Sequence, residues 1–109
     1  CEICQYKSCW TSKRKTKRIE QLTNITCCQY VTAIPRTLTK LTHLYCGNTD
    51  VSEIPETLTQ LSYLYCWNTN IRNIPPTLIN LVELNCGSTN ITGIPDTLVN
   101  LRHLWCHST

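Results

Sequence analysis

The chain of 109 residues contains no phenylalanine, no methionine and only three glycines. Without Phe or Met, any core must be built from Leu, Ile, Val and smaller groups. With so few glycines there is no Gly-rich loop to cradle a phosphate, and tight turns fall to Pro, Asn, Asp and Ser. No apolar run approaches the roughly twenty residues that a membrane-crossing helix needs. No Ser or Cys stands with a His and an acid at a recognisable catalytic spacing, and no buried carboxylate pair is indicated, so the reading is non-enzymatic. The chain opens on Cys1 rather than Met, which implies that a start residue or a leader has been left out.

Two things are abundant. Nine cysteines, an odd number, exclude a fully paired disulfide framework within one chain and point to an intracellular, reducing compartment. The second is order. The stretch from Leu41 to Gln60, LTHLYCGNTDVSEIPETLTQ, returns as LSYLYCWNTNIRNIPPTLIN from Leu61 and as LVELNCGSTNITGIPDTLVN from Leu81. A partial copy, LRHLWCHST, runs from Leu101 to Thr109, and a degenerate copy one residue short occupies 22–40. Self-similarity at such a period marks a solenoid, in which each unit buries its apolar face on its neighbours. The units are therefore 22–40, 41–60, 61–80, 81–100 and a partial 101–109.

The recurring pattern L-x-x-L-x-C-x-x-T-x-I-x-x-I-P-x-T-L resembles the leucine-rich repeat over residues 22–109. The short Pro-containing unit is similar to the repeat class of bacterial effectors. Its Cys and Thr columns resemble small repeat proteins of giant DNA viruses, marseilleviruses among them, which would place the chain in host cytoplasm or a virion. The resemblance implies a mostly β member of the α/β solenoids. Its fold would be a right-handed superhelix with a parallel sheet on the concave side and short extended or 3₁₀ segments on the convex side.

The residues agree. Alternation along Leu44-Tyr45-Cys46 sends Leu44 and Cys46 inward and His43, Tyr45 and Gly47 outward. Pro55 keeps the residue before it out of helix. Leu41, Leu44, Val51, Ile54 and Leu58 are expected to fill the core. Cys46, Cys66, Cys86 and Cys106 replace an inward Leu. Neighbours in that column stand about 4.8 Å apart, too far for a relaxed disulfide, and one column cannot surround an ion, so they read as small core groups. Thr49, Thr69, Thr89 and Thr109 stand where the family places Asn, and are expected to form a thinner ladder between coils.

The outward columns carry His43, Tyr63, Glu83 and His103; then Tyr45, Tyr65, Asn85 and Trp105; then Gly47, Trp67, Gly87 and His107. Tyr and Trp dominate binding hot spots, so this wall is the expected surface for a protein or peptide partner, with His43, Tyr45, Tyr63, Tyr65, Trp67, Glu83, His103, Trp105 and His107 as its contact residues.

The front end differs in charge. Residues 1–40 hold eight Lys/Arg against Glu2 and Glu20, a balance of +6, whereas residues 41–109 hold Arg72 and Arg102 against Asp50, Glu53, Glu56, Glu83 and Asp96, a balance of −3. Residues 1–21 read as a Cys-rich basic cap on the first repeat. Cys1 and Cys4 form a C-x2-C pair, and with Cys9 and either Cys27 or Cys28 could hold one zinc or an iron–sulfur cluster. The alternative leaves Cys1, Cys4 and Cys9 as unpaired thiols on a loose terminus, or joined as a disulfide on oxidation. Lys13, Arg14, Lys15, Lys17 and Arg18 could contact nucleic-acid phosphates, although such a run is commonly a solvated face. At the other end, the strand around Trp105 is expected to present an open parallel edge; either the natural protein is longer there or a second copy caps the edge, and the expectation is a homo-oligomer.

Overall fold

The computed structural model describes residues 20–107. They form a β-solenoid of stacked coils whose one wall is a five-stranded parallel sheet in the order β1-β2-β3-β4-β5. The strands are β1 (Asn24–Thr26), β2 (His43–Tyr45), β3 (Tyr63–Tyr65), β4 (Glu83–Asn85) and β5 (His103–Trp105). Each is three residues long because the coil must turn at once on either side. The register is the one the repeat dictates: Ile25, Leu44, Leu64, Leu84 and Leu104 lie side by side across the sheet. Among the described residues there is no helix, and none is therefore long and apolar enough to cross a membrane.

The core is a set of ladders running along the solenoid. Leu41, Leu61 and Leu81 form one; Leu44, Leu64 and Leu84 a second; Leu38, Leu58 and Leu78 a third; all are fully buried. Val51 and Ile71 continue the pattern on the far side of each coil. Cys46, Cys66 and Cys86 are also fully buried, which bears out their reading as core groups, whereas Cys106 in the last coil is exposed. Burial drives their thiols well above the ordinary value, Cys66 to about 12. A thiolate there would stand in apolar surroundings without a counter-charge.

Of the extended or 3₁₀ segments expected, each coil has the extended one, with no regular structure up to the Pro, followed by two successive turns. In the second coil Leu58 N–H reaches Pro55 O at 3.3 Å and Leu61 N–H reaches Leu58 O at 3.2 Å; the third coil repeats this at Leu78 and Leu81. Pro supplies the fixed φ at the head of the first turn, and the buried Leu is the pivot of both.

The one-residue deletion in the first coil is resolved at its corner. Cys27 N–H donates to Tyr45 O at 2.8 Å, as Cys46 does to Tyr65 O and Cys66 to Asn85 O, so Cys27 and not Cys28 takes the column position. Val31 N–H then closes directly on Cys28 O at 3.1 Å, and the Thr that shapes this corner elsewhere is absent.

That Thr does not ladder between coils. Thr49, Thr69 and Thr89 are buried and donate to the carbonyls of Cys46, Cys66 and Cys86 in their own coils, at 2.7, 2.7 and 2.6 Å. The hydroxyl can reach three residues back because it has one short arm, where a longer amide would extend past its own coil. Ties between coils are made by a different Thr column. Thr57, Thr77 and Thr97 donate to Arg36 O, Glu56 O and Pro76 O at 2.5, 2.6 and 2.6 Å. Asn80 and Asn100 add bonds from Nδ2 to Thr59 O and Ile79 O, both at 2.9 Å.

Candidate functional site: the aromatic sheet wall

The sheet turns its central residues inward and its flanking residues out, so each coil contributes one row of three residues to the outer wall. The third coil contributes Tyr63, Tyr65 and Trp67, the fullest row. Strand pairing places Tyr63 beside His43 and Tyr65 beside Tyr45. The rings follow. His43 and Tyr63 stack with centroids 4.5 Å apart and planes 18° off parallel; Tyr45 and Tyr65 stack at 4.9 Å and 13°. Both separations are close to the strand spacing, so the sheet itself sets the stack. On the last coil His103 and Trp105 lie at 5.9 Å and 20°.

Trp67 extends the wall differently. Its residue follows Cys66, at the corner, and its indole crosses the surface of Gly47 on the preceding coil. A Cβ at Gly47 would stand 2.6 Å from Cε2 and 2.8 Å from Cδ1 of that ring. The absence of a side chain at Gly47 is what lets the indole lie down. The corner beyond it is left-handed: Asn48, Asn68 and Ser88 have φ of 58°, 52° and 54°. Asn tolerates that region because its short amide bonds locally, and Asn68 Nδ2 donates to Asn48 Oδ1 at 2.5 Å.

Electrostatics centre on one carboxylate. Tyr65 Oη donates a short hydrogen bond to Glu83 Oε2 across the β3–β4 junction. That bond, with burial and the nearby negative charge acting in the same direction, pushes the Tyr65 phenol up to about 12. Asn85 Oδ1 accepts from Gly87 N–H at 3.2 Å, and Thr42 Oγ1 bonds His43 Nδ1 at 2.8 Å, so the polar members of the wall are held from behind.

The structure therefore brings together His43, Tyr45, Tyr63, Tyr65, Trp67 and Glu83 as one contiguous surface. His103, Trp105 and His107 continue it on the last coil, where every residue from Arg102 to His107 is exposed. Gly47 is not among the expected contact residues, although alternation of Gly and Trp in its column is a visible hint. Leu104 departs from its ladder: it is 42% exposed, while Leu44, Leu64 and Leu84 are fully buried. Of the expected metal ligands, Cys27 and Cys28 lie half-buried against the core at the first coil. Cys1, Cys4 and Cys9 fall outside the described residues, as do Lys13, Arg14, Lys15, Lys17 and Arg18 and nearly all of the cap at 1–21. Among the described residues no three His, Cys, Asp or Glu side chains converge as a metal site.

Comparison with solved structures fixes the architecture. An internalin (InlF) of Listeria monocytogenes superimposes over 99% of this chain with a TM-score of 0.77 and 22% identity, and the match spans 36% of the internalin chain. A leucine-rich-repeat protein of Leptospira interrogans matches 84% of the chain with a TM-score of 0.57 and 16% identity, over 32% of its own length. The fold is the leucine-rich-repeat solenoid. The chain spans about a third of the length of these two structures. No protein family and no curated protein gives a match. Both leucine-rich-repeat structures are bacterial, and the likeness to viral repeats rests on the sequence columns alone.

Proposed function

We propose that this leucine-rich-repeat solenoid is a non-enzymatic interaction module that binds a protein or peptide on its aromatic sheet wall. The observation that carries the reading is the exposure of large rings on a rigid lattice. Tyr45, Trp67 and Trp105 are 38%, 42% and 38% exposed, while Leu44, Leu64 and Leu84 behind the wall at β2, β3 and β4 are fully buried. Rings stacked at the strand spacing lose little freedom on contact, and such pre-ordered aromatic area is what hot spots are made of. The fold supports the reading by presenting a continuous wall, and the partner is identified by experiment.

The test is a random-peptide phage library selected on the full chain. Binders should weaken at least about ten-fold on Trp67→Ala and Tyr45→Ala proteins whose melting is little changed, as expected of central ring contacts. Binders indifferent to both substitutions would sink the proposal.

A further inference from the structure

The wall is aromatic and nearly uncharged. Among its twelve outward positions Glu83 is the one formally charged residue at neutral pH, with His counted as neutral. It is also half-buried, beside Tyr63 on the neighbouring strand and held by Tyr65 Oη. A carboxylate offers about four acceptor positions, and the phenol occupies one. The bond to Tyr65 fixes the carboxylate at the margin of the ring block formed by Tyr45, Tyr65, His43 and Tyr63. An acid whose direction is set, next to the ring faces that the stacks leave uncovered, is built to receive a cation.

The shape of the block selects among cations. An aromatic cage for a methylated ammonium needs rings at steep angles around a hole. Here each pair stacks face to face, within 13° and 18° of parallel, so the faces that Tyr65 and Tyr63 keep free are those turned toward β4 and Glu83. A flat ring face beside a carboxylate suits a planar group that can stack and donate two parallel N–H bonds at once. Guanidinium does both; an ammonium does neither as well. The charge from the second repeat onward, −3 over residues 41–109, agrees in sign with a basic partner, and the whole repeat region 22–109 stays negative at −1.

We infer that the wall recognises an arginine side chain of its partner, the guanidinium forked on the Glu83 carboxylate and stacked against the Tyr65 and Tyr63 rings. This rests on the proposed role of the wall, and deepens it by naming the chemistry that the partner must present.

Peptides selected from the phage library on the full chain should be enriched in Arg over Lys. The strongest is then synthesised with its Arg and with citrulline, a neutral isostere that keeps the plane and loses the charge. On the native protein citrulline should weaken binding about ten-fold or more, the scale of a charge-assisted pair. On Glu83→Gln the same exchange should change binding by less than about two-fold, since the forked carboxylate is gone. The native-protein comparison stands even where the Glu83→Gln chain folds poorly. If peptides depend on Trp67 and Tyr45 but citrulline binds as well as Arg, or loses as much on Glu83→Gln as on the native chain, the arginine inference is overturned and the wall remains a binding surface. If no selected peptide depends on Trp67 or Tyr45, both are overturned.

Discussion

The indole of Trp67 lies across the α-carbon of Gly47, one coil back, in space that a single methyl group would occupy. Position 47 and position 67 are the same place in the repeat. The wall thus gains a flat ring at one coil because its predecessor has none.

Replacing Gly47 by Ala should lift the indole off the surface. Trp67 is 42% exposed and can swing outward, so the expected loss of stability is small, within about 1 kcal/mol. Near-ultraviolet circular dichroism of a Trp10→Phe, Trp105→Phe background, in which Trp67 is the remaining indole, should lose intensity. Peptide binding at the wall should weaken with it. An unchanged spectrum would mean that the indole does not rest on Gly47.

The Tyr65–Glu83 bond gives a pH signature. The Tyr65 phenol is raised to about 12 from an ordinary 10 because it donates to the carboxylate. A group whose folded value is raised contributes stability in full below its unfolded value, and that contribution fades as pH climbs through the folded value. The window is therefore about pH 10 to 12. Absorbance of tyrosinate should show a late phase near pH 12 from Tyr65, and Glu83→Gln should shift that phase to lower pH.

Cysteine labelling reports the core. Cys46 and Cys66 are fully buried with thiols raised by burial, so at pH 8 they should stay unlabelled by a maleimide in the folded protein and react on unfolding in urea. Cys66→Ser should cost about 1–3 kcal/mol, because the hydroxyl has a stronger need for a partner than the thiol it replaces.

Ser88 sits at φ 54° where the two preceding coils use Asn, and Asn48 and Asn68 are joined through their amides. Ser88→Asn should relax the backbone and extend that pair by one member. The expected gain is about 0.5 kcal/mol or more, read as a higher urea midpoint at unchanged slope.

Much of this was legible in the letters. A fixed period of twenty puts equal residues at equal places, so the ladder of Leu44, Leu64 and Leu84 and the inward cysteines followed from alternation alone. The wall residues followed too, as a list. Their arrangement did not, because the tilt of Trp67 depends on what is missing at Gly47 and the aim of Glu83 on a phenol one strand away. Periodicity says that two residues recur together; it does not say whether a bond runs along a coil or across to the next. That is why the letters suggest an inter-coil ladder for the Thr49 column and give the Thr57 column, equally regular, no task.

The two threonine columns can be told apart by measurement. Thr69 is buried, and its hydroxyl donates to Cys66 O at 2.7 Å inside the coil. Thr69→Val keeps the shape and withdraws the donor from a carbonyl that water does not reach easily, which should cost about 1–3 kcal/mol. Thr77 is exposed and ties Glu56 O of the preceding coil at 2.6 Å. After Thr77→Val, water can take over that carbonyl, so the loss should be smaller, about 0.5–1.5 kcal/mol. Hydrogen exchange separates them further. Loss of the Thr69 bond acts within its own corner, and should speed exchange at the amide of Ile71 and at its neighbours. Loss of the Thr77 bond loosens one coil from the next, and should speed exchange at Leu58 and Leu78 together. Equal costs with the same exchange pattern would show that the two columns share one task, and that the corner and the inter-coil tie are not separate devices.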